Sequence, residues 1–155
     1  TVRRMVKESG YPNMKVLEFA FDSRDSSGAG DYLPHNYTHN CVVYTGTHDN
    51  DTVMGWYDTL KGADKKLCDD YLRLKNADGE PIPREQLPWE FVRAAMSSVA
   101  DLAIIPMQDY LGLGSEARIN IPSTLGINWK WRMGNGDFTK ELAGRIRSMT
   151  KLYGR

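Results

Sequence analysis

Cysteine is scarce in this 155-residue sequence, and Cys41 and Cys68 form neither a CxxC pair nor a Cys/His set. A structural zinc centre is therefore not expected, no metal is assigned, and reduced thiols in a cytoplasmic setting are the expectation. His35, His39 and His48 are not spaced as a metal-binding set either. Net charge is also missing: 20 basic residues offset 20 acidic ones, so nothing points to nucleic acid or an anionic membrane as partner. No apolar run approaches a membrane span, and the first residues lack the layout of a secretory signal. Internal repeats and low-complexity tracts are absent. What remains is a 41% hydrophobic, 26% charged chain, the composition of a globular domain with a core of its own.

The N-terminus lacks an initiator Met. Thr1-Val2-Arg3-Arg4-Met5-Val6-Lys7-Glu8 reads as the last turns of a helix already under way, closed by Gly10 as a C-cap, so the chain is expected to begin mid-architecture. Met14-Lys15-Val16-Leu17-Glu18-Phe19-Ala20-Phe21 reads as a strand, residues 22–31 as a Ser/Gly/Asp-rich loop, and residues 41–45 as a second strand. Leu67, Tyr71 and Leu74 fall at helical spacing. Pro88 suits a first helical turn, and Phe91, Val92, Ala95, Met96 and Val99 form an apolar stripe behind it. Leu102-Ala103-Ile104-Ile105-Pro106-Met107 reads as a third, buried strand. After a long irregular segment, 110–136, Asp137 is expected to cap a helix with the face Phe138, Leu142, Ile146, Met149 and Tyr153. Strands separated by helical stretches predict parallel pairing through right-handed crossovers. Three such units do not close a barrel, which takes eight, so the topology reads as part of a larger one.

The chemistry concentrates after the second strand, in Tyr44-Thr45-Gly46-Thr47-His48-Asp49-Asn50-Asp51. A polar cluster at the C-terminal end of a buried strand is where α/β barrels hold their reactive groups. The competing reading is that Asp49 or Asp51 caps the helix beginning near Thr52. Aromatics such as Phe19, Tyr32, Trp56 and Trp129, beside Asp, Asn and His, suit carbohydrate, whose ring faces stack on aromatics and whose hydroxyls need polar partners. Glycoside chemistry normally uses two flanking carboxyls. Of Glu18, Asp22, Asp49 and Asp109, Glu18 reads as a structurally paired strand residue, Asp22 as a turn residue, and Asp109 as a cap or loop brace. Asp49 alone has a strong claim. Gly114-Ser115-Glu116 lacks the G-x-S-x-G elbow, and Gly112-Leu113-Gly114 misses the third Gly of a dinucleotide fingerprint.

Longer motifs carry a family resemblance. Residues 14–21, Leu33-Pro34-His35-Asn36-Tyr37 and residues 44–52 resemble the 4-α-glucanotransferases, also called amylomaltases or disproportionating enzymes, of glycoside hydrolase family 77. So do residues 97–109, Leu111-Gly112-Leu113-Gly114-Ser115-Glu116-Ala117-Arg118 and Asn128-Trp129-Lys130-Trp131-Arg132. The resemblance implies an α/β fold, the C-terminal part (about three β/α units) of a (β/α)8 TIM barrel, with residues 1–155 as one portion of a single domain. It implies transfer of α-1,4-glucan segments by retaining double displacement, without cofactor or metal. The family's nucleophilic Asp and acid/base Glu would lie upstream of Thr1, so the chain alone is expected to be inactive and to need the N-terminal part of its barrel. Asp49 matches the family's third, transition-state-stabilising carboxylate. His48 matches its partner in holding sugar hydroxyls, Phe19 an aromatic near the acceptor side, and Asn120 a glucan-contacting loop residue. α-1,4-Glucans and maltooligosaccharides are the implied partners. An α-amylase-like hydrolase and a non-catalytic glucan-binding piece are the alternatives.

Overall fold

The structure, a computed structural model, describes residues 2–22 and 29–155. Its centre is a three-stranded parallel sheet in the order β1-β2-β3, built from Asn13–Val16, Cys41–Tyr44 and Leu102–Ile104. The register aligns Val16 with Tyr44 and Tyr44 with Ile104, so the three C-terminal ends lie side by side. Among the described residues, β1 and β3 each pair along one edge. Helix α1 (Val2–Ser9) precedes β1, and Gly10 follows it in the left-handed conformation (φ 72°) expected of a C-cap.

The crossover from β2 to β3 is helical: α2 (Val53–Thr59), α3 (Gly62–Leu72) and α4 (Leu87–Met96). Pro88 sits in the first turn of α4, where its missing N–H costs nothing. Phe91 and Val92 on α4 are fully buried, as is Leu17 after β1. Around Phe91 stand the rings of Phe21, Trp56 and Tyr57, with centroids 5.9–6.4 Å away and tilted edge to face. This aromatic cluster is the main core. A smaller one joins Tyr37, Cys41, Val43, Ala95 and Ala100, where α4 meets β2. Burying Asp69 is offset by a hydrogen bond from the Tyr57 hydroxyl (2.8 Å) and by Lys65 and Lys75, each 3.9 Å away.

Several elements differ from expectation. The first strand stops at Val16, and Leu17–Phe21 winds into a 3₁₀ turn. Leu17, Ala20 and Phe21 recur at i, i+3 and i+4, and the turn sends all three into the core, a gain that outweighs their strand propensity. The third strand pairs over three residues and is half-exposed rather than buried. Pro106, which has no N–H to donate, precedes α5 (Met107–Leu111). Val99 is exposed beyond the end of α4, and Leu67 lies at the edge of α3, whose buried positions are Cys68, Asp69 and Leu72. The last helix, α6 (Lys140–Leu152), is capped by Thr139, whose Oγ1 accepts from Leu142 N, and not by Asp137, whose carboxylate binds Gly134 N instead. Leu142, Ile146, Met149 and Tyr153 are half-buried and Phe138 is exposed. The predicted 22–31 loop lies largely outside the described residues. No helix among the described residues is long and apolar enough to cross a membrane.

Candidate active site

The turn from β2 to α2 carries the site. Its first residue, Thr45, is buried, and Gly46 follows where a side chain has no room: a Cβ there would stand 2.6 Å from Glu18 Oε1. The turn is closed by Asn50, whose Oδ1 accepts from both Thr47 N (3.0 Å) and Thr47 Oγ1 (2.7 Å). Thr47 Oγ1 in turn accepts from Asp49 N at 3.3 Å. Such local side-chain to backbone bonds fix a tight turn without any regular ladder. His48 and Asp49 project from it with about half of each side chain exposed, and His48 Nε2 lies 3.2 Å from Asp49 Oδ1.

A second segment, 118–129, buttresses the pair from outside. Asn120 Nδ2 donates to Asp49 Oδ1 (2.6 Å), and Asn120 N donates to His48 O (3.1 Å). Arg118 binds the Asp49 carbonyl through Nη2 (2.7 Å) and the Asn120 carbonyl through Nε (2.9 Å). Trp129 lies with its ring centroid 5.1 Å from that of His48. Trp129 takes a left-handed backbone (φ 64°), rare for a bulky residue, and its N–H is tied to Ile119 O at 2.8 Å. Underneath, between the turn and the segments around Gln108 and Ala117, the free space is about 10 Å³, so the turn rests on a filled floor.

Neither Asp49 nor Asp51 caps α2. Thr52 does, accepting from Gly55 N at 3.1 Å. Asp51 accepts from Ser115 Oγ (2.7 Å) and from Thr52 N (2.7 Å), joining the turn to the loop after α5. Asp109, expected to cap or brace the loop after the third strand, braces the turn after β2 instead: Oδ2 accepts from Thr45 Oγ1 (2.5 Å) and Oδ1 from Val53 N (2.9 Å), clamping both ends of the turn. Burial pushes its pKa up to about 6 against these two hydrogen bonds. Glu18 is buried with Asn50 as its side-chain partner, and its Oε1 has no hydrogen-bond partner among the described residues. Burial, and next the charge of Asp109, push its pKa up to about 9.

Phe19 lies in the 3₁₀ turn after β1, half-exposed, with its ring edge-on to Tyr32 at 5.4 Å. It lines an open cavity of about 570 Å³ with Tyr32, Trp56, Asp22 and Lys61. The structure thus brings Asp49, His48 and Asn120 into direct contact, whereas Phe19 stands on a cavity that none of the three lines. Reasoning from the sequence missed Arg118, which contacts Asp49 through the backbone carbonyl, and named Trp129 only as one aromatic among many. His35 and His39 are engaged elsewhere, with the Tyr71 hydroxyl (3.0 Å) and Asp101 (3.7 Å).

An accessible carboxylate and imidazole on the turn, with an amide and a tilted indole from the segment that buttresses it, form the donor, acceptor and stacking set that a polyhydroxyl ring requires. The family model described as 4-alpha-glucanotransferase matches residues 1–137, and the chain belongs to that family. The 4-alpha-glucanotransferase of Clostridium butyricum is 49% identical over 150 residues, covering 96% of this chain and 29% of its own. The chloroplastic/amyloplastic 4-alpha-glucanotransferase DPE1 of Arabidopsis thaliana is 45% identical over 153 residues, covering 96% of this chain and 25% of its own. A solved structure, the amylomaltase from Streptococcus agalactiae in complex with acarbose, superposes with a TM-score of 0.83 at 35% identity, covering 99% of this chain and 29% of that one. The chain therefore spans under a third of the length of these relatives.

Proposed function

We propose that residues 1–155 are the C-terminal portion, about three β/α units, of one (β/α)8 barrel domain. The protein they belong to acts as a 4-α-glucanotransferase on α-1,4-glucans and maltooligosaccharides. Three parallel strands in sequential order, with polar turns at their C-terminal ends, support this reading. So do the outer edges of β1 and β3, unpaired among the described residues, where further strands would continue the sheet. The cytoplasm is the compartment we assign, in keeping with two buried, unbonded cysteines, Cys41 and Cys68.

The observation that carries the function is the fixed Asp49 carboxylate. His48 Nε2 and Asn120 Nδ2 both meet its Oδ1, at 3.2 and 2.6 Å, and Oδ2 is the oxygen we assign to the sugar. In a retaining double displacement, an Asp nucleophile forms a glucanosyl-enzyme while a Glu protonates the departing glucan. An acceptor hydroxyl then takes the chain from the enzyme. The transition states resemble an oxocarbenium ion, and a negative charge already locked in place stabilises that positive charge without reorganising at the moment of reaction. Asp49 has this role. His48 and Asn120 hold ring hydroxyls and the carboxylate's orientation, and Phe19 offers its exposed face to the acceptor glucan. The nucleophile and acid/base come from the preceding part of the barrel, so this chain alone is expected to leave maltotriose unchanged.

The test is a chimaera in which residues 1–155 replace the matching segment of the Clostridium butyricum relative, incubated with maltotriose. Transfer yields glucose together with oligosaccharides longer than three units and no net gain of reducing ends. A folded chimaera that only hydrolyses, or does nothing, contradicts the proposal.

A further inference from the structure

Glu18 has no part in the displacement described above, yet it occupies the space directly under the catalytic turn. It is 4% exposed, and its backbone N–H donates to Thr45 O at 3.2 Å, which ties it to the residue that opens the turn. The carboxyl fills the space left by the missing side chain of Gly46: a Cβ there would meet Oε1 at 2.6 Å, and Glu18 Cδ and Asn50 Cβ at 3.2 Å each. Asn50, which hydrogen-bonds the Glu18 carboxyl, is also the residue that closes the turn on Thr47, whose hydroxyl binds Asp49 N. A continuous path therefore runs from Glu18 through Asn50 and Thr47 to the backbone of Asp49.

We propose that Glu18 is a positioning residue, whose carboxyl, wedged against Gly46 and Asn50, sets the placement of His48 and Asp49 toward the glucan. This rests on the glucanotransferase reading of the site. The charged groups facing the carboxyl are Asp109 on α5, Asp51 at the end of the turn and Arg118 beyond the Ser115–Ala117 turn. Two of the three are anionic and burial removes water, so the uncharged acid is the form that fits at neutral pH. Ionisation places a third negative charge beside Asp51 and Asp109 and drives the carboxyl away from its seat. The turn then loses its support from below, and Asp49 loses its alignment.

The test has two arms. In the first, the ¹⁵N-labelled chimaera and its Glu18→Gln variant are titrated from about pH 3.5 to about pH 10.5, following the amides of Gly46, Asp49 and Asn50. The expected result is a shared midpoint near the Glu18 pKa of about 9 in the parent chimaera, absent from the variant. Amides that ignore Glu18, or that move near the ordinary glutamate value of 4.5, overturn the proposal. In the second arm, the chimaera carries Glu18→Ala or Glu18→Gln. Displacing a stabilising charge by a fraction of an ångström is expected to cut kcat about tenfold to a hundredfold in Glu18→Ala with little change in KM. Glu18→Gln, which keeps the shape, restores most of that loss and extends transfer beyond pH 9, where the parent declines. Equal rates in Glu18→Ala, or an unchanged alkaline limb in Glu18→Gln, overturn it. A parent chimaera without transfer refutes the enzymatic reading, and the amide titration then decides the positioning on its own.

Discussion

Substituting Glu18 by Gln should make the folded chain more stable at neutral and alkaline pH, although Glu18 is native and buried. In the unfolded chain the carboxyl ionises around its ordinary 4.5, whereas in the fold it holds its proton up to about 9. Between those values the native state binds one proton more than the unfolded state, so stability is fully present below 4.5 and falls as pH rises toward 9. The slope is about 1.4 kcal/mol per pH unit, and across the whole window it amounts to about 6 kcal/mol for this one group. Gln keeps nearly the same shape and never ionises, so it removes the slope. The assay is urea unfolding of both chains at pH 6, 7 and 8. Groups common to both proteins contribute alike, so they cancel when the two curves are subtracted. The stability difference should shift in favour of Glu18→Gln by about 2.7 kcal/mol from pH 6 to pH 8. Parallel pH dependences in the two proteins would refute the reasoning, because Glu18 would then titrate alike in fold and coil.

Three further substitutions probe the frame around the site. Phe91→Ala removes the fully buried ring that Phe21, Trp56 and Tyr57 surround. It should cost about 3–5 kcal/mol in urea unfolding, with Phe91→Leu costing clearly less. Asp109→Ala strands the Val53 N–H and the Thr45 hydroxyl in the interior. A loss of about 2–5 kcal/mol is expected by the same assay, together with weaker protection of the Val53 amide from hydrogen exchange. Gly46→Ala drives a methyl group to within 2.6 Å of Glu18 Oε1 and should cost about 1–3 kcal/mol. Most of that cost should vanish when Glu18→Ala is already present, and strictly additive losses would show that the two residues do not touch.

Much of this architecture is legible in local pattern. Residues 41–44 form a short apolar run ending at Gly46, and they become the central strand. The polar residues behind it lie where such a strand delivers them. Residues 17–21 read as strand because they are apolar and aromatic, yet their i, i+3, i+4 recurrence lets a 3₁₀ turn bury three of them at once. Whether a short apolar strand is covered depends on neighbours that its own residues do not encode, and Leu102 and Ile104 are half-exposed for that reason. Asp51 and Asp137 are good caps by type, but each binds a different backbone or hydroxyl group, and threonines one and two residues further on cap instead. The contact of Asn120 with Asp49 spans 71 residues and follows no spacing rule; it was accessible through the family motif alone. Arg118 ends a family motif with no role attached to it, because it grips Asp49 by the main chain, where the identity of the residue held carries no signal.

The central claim is that Asp49 supplies a fixed negative charge to the transition state of glucan transfer. Its most direct test is Asp49→Asn in the chimaera, with initial rates of glucose release and of elongation from maltotriose measured beside the parent. Asn preserves the hydrogen-bonding outline and deletes the charge. The account predicts a fall in kcat of at least about a hundredfold with a far smaller change in KM. A variant that elongates maltotriose at the parent's rate would contradict it.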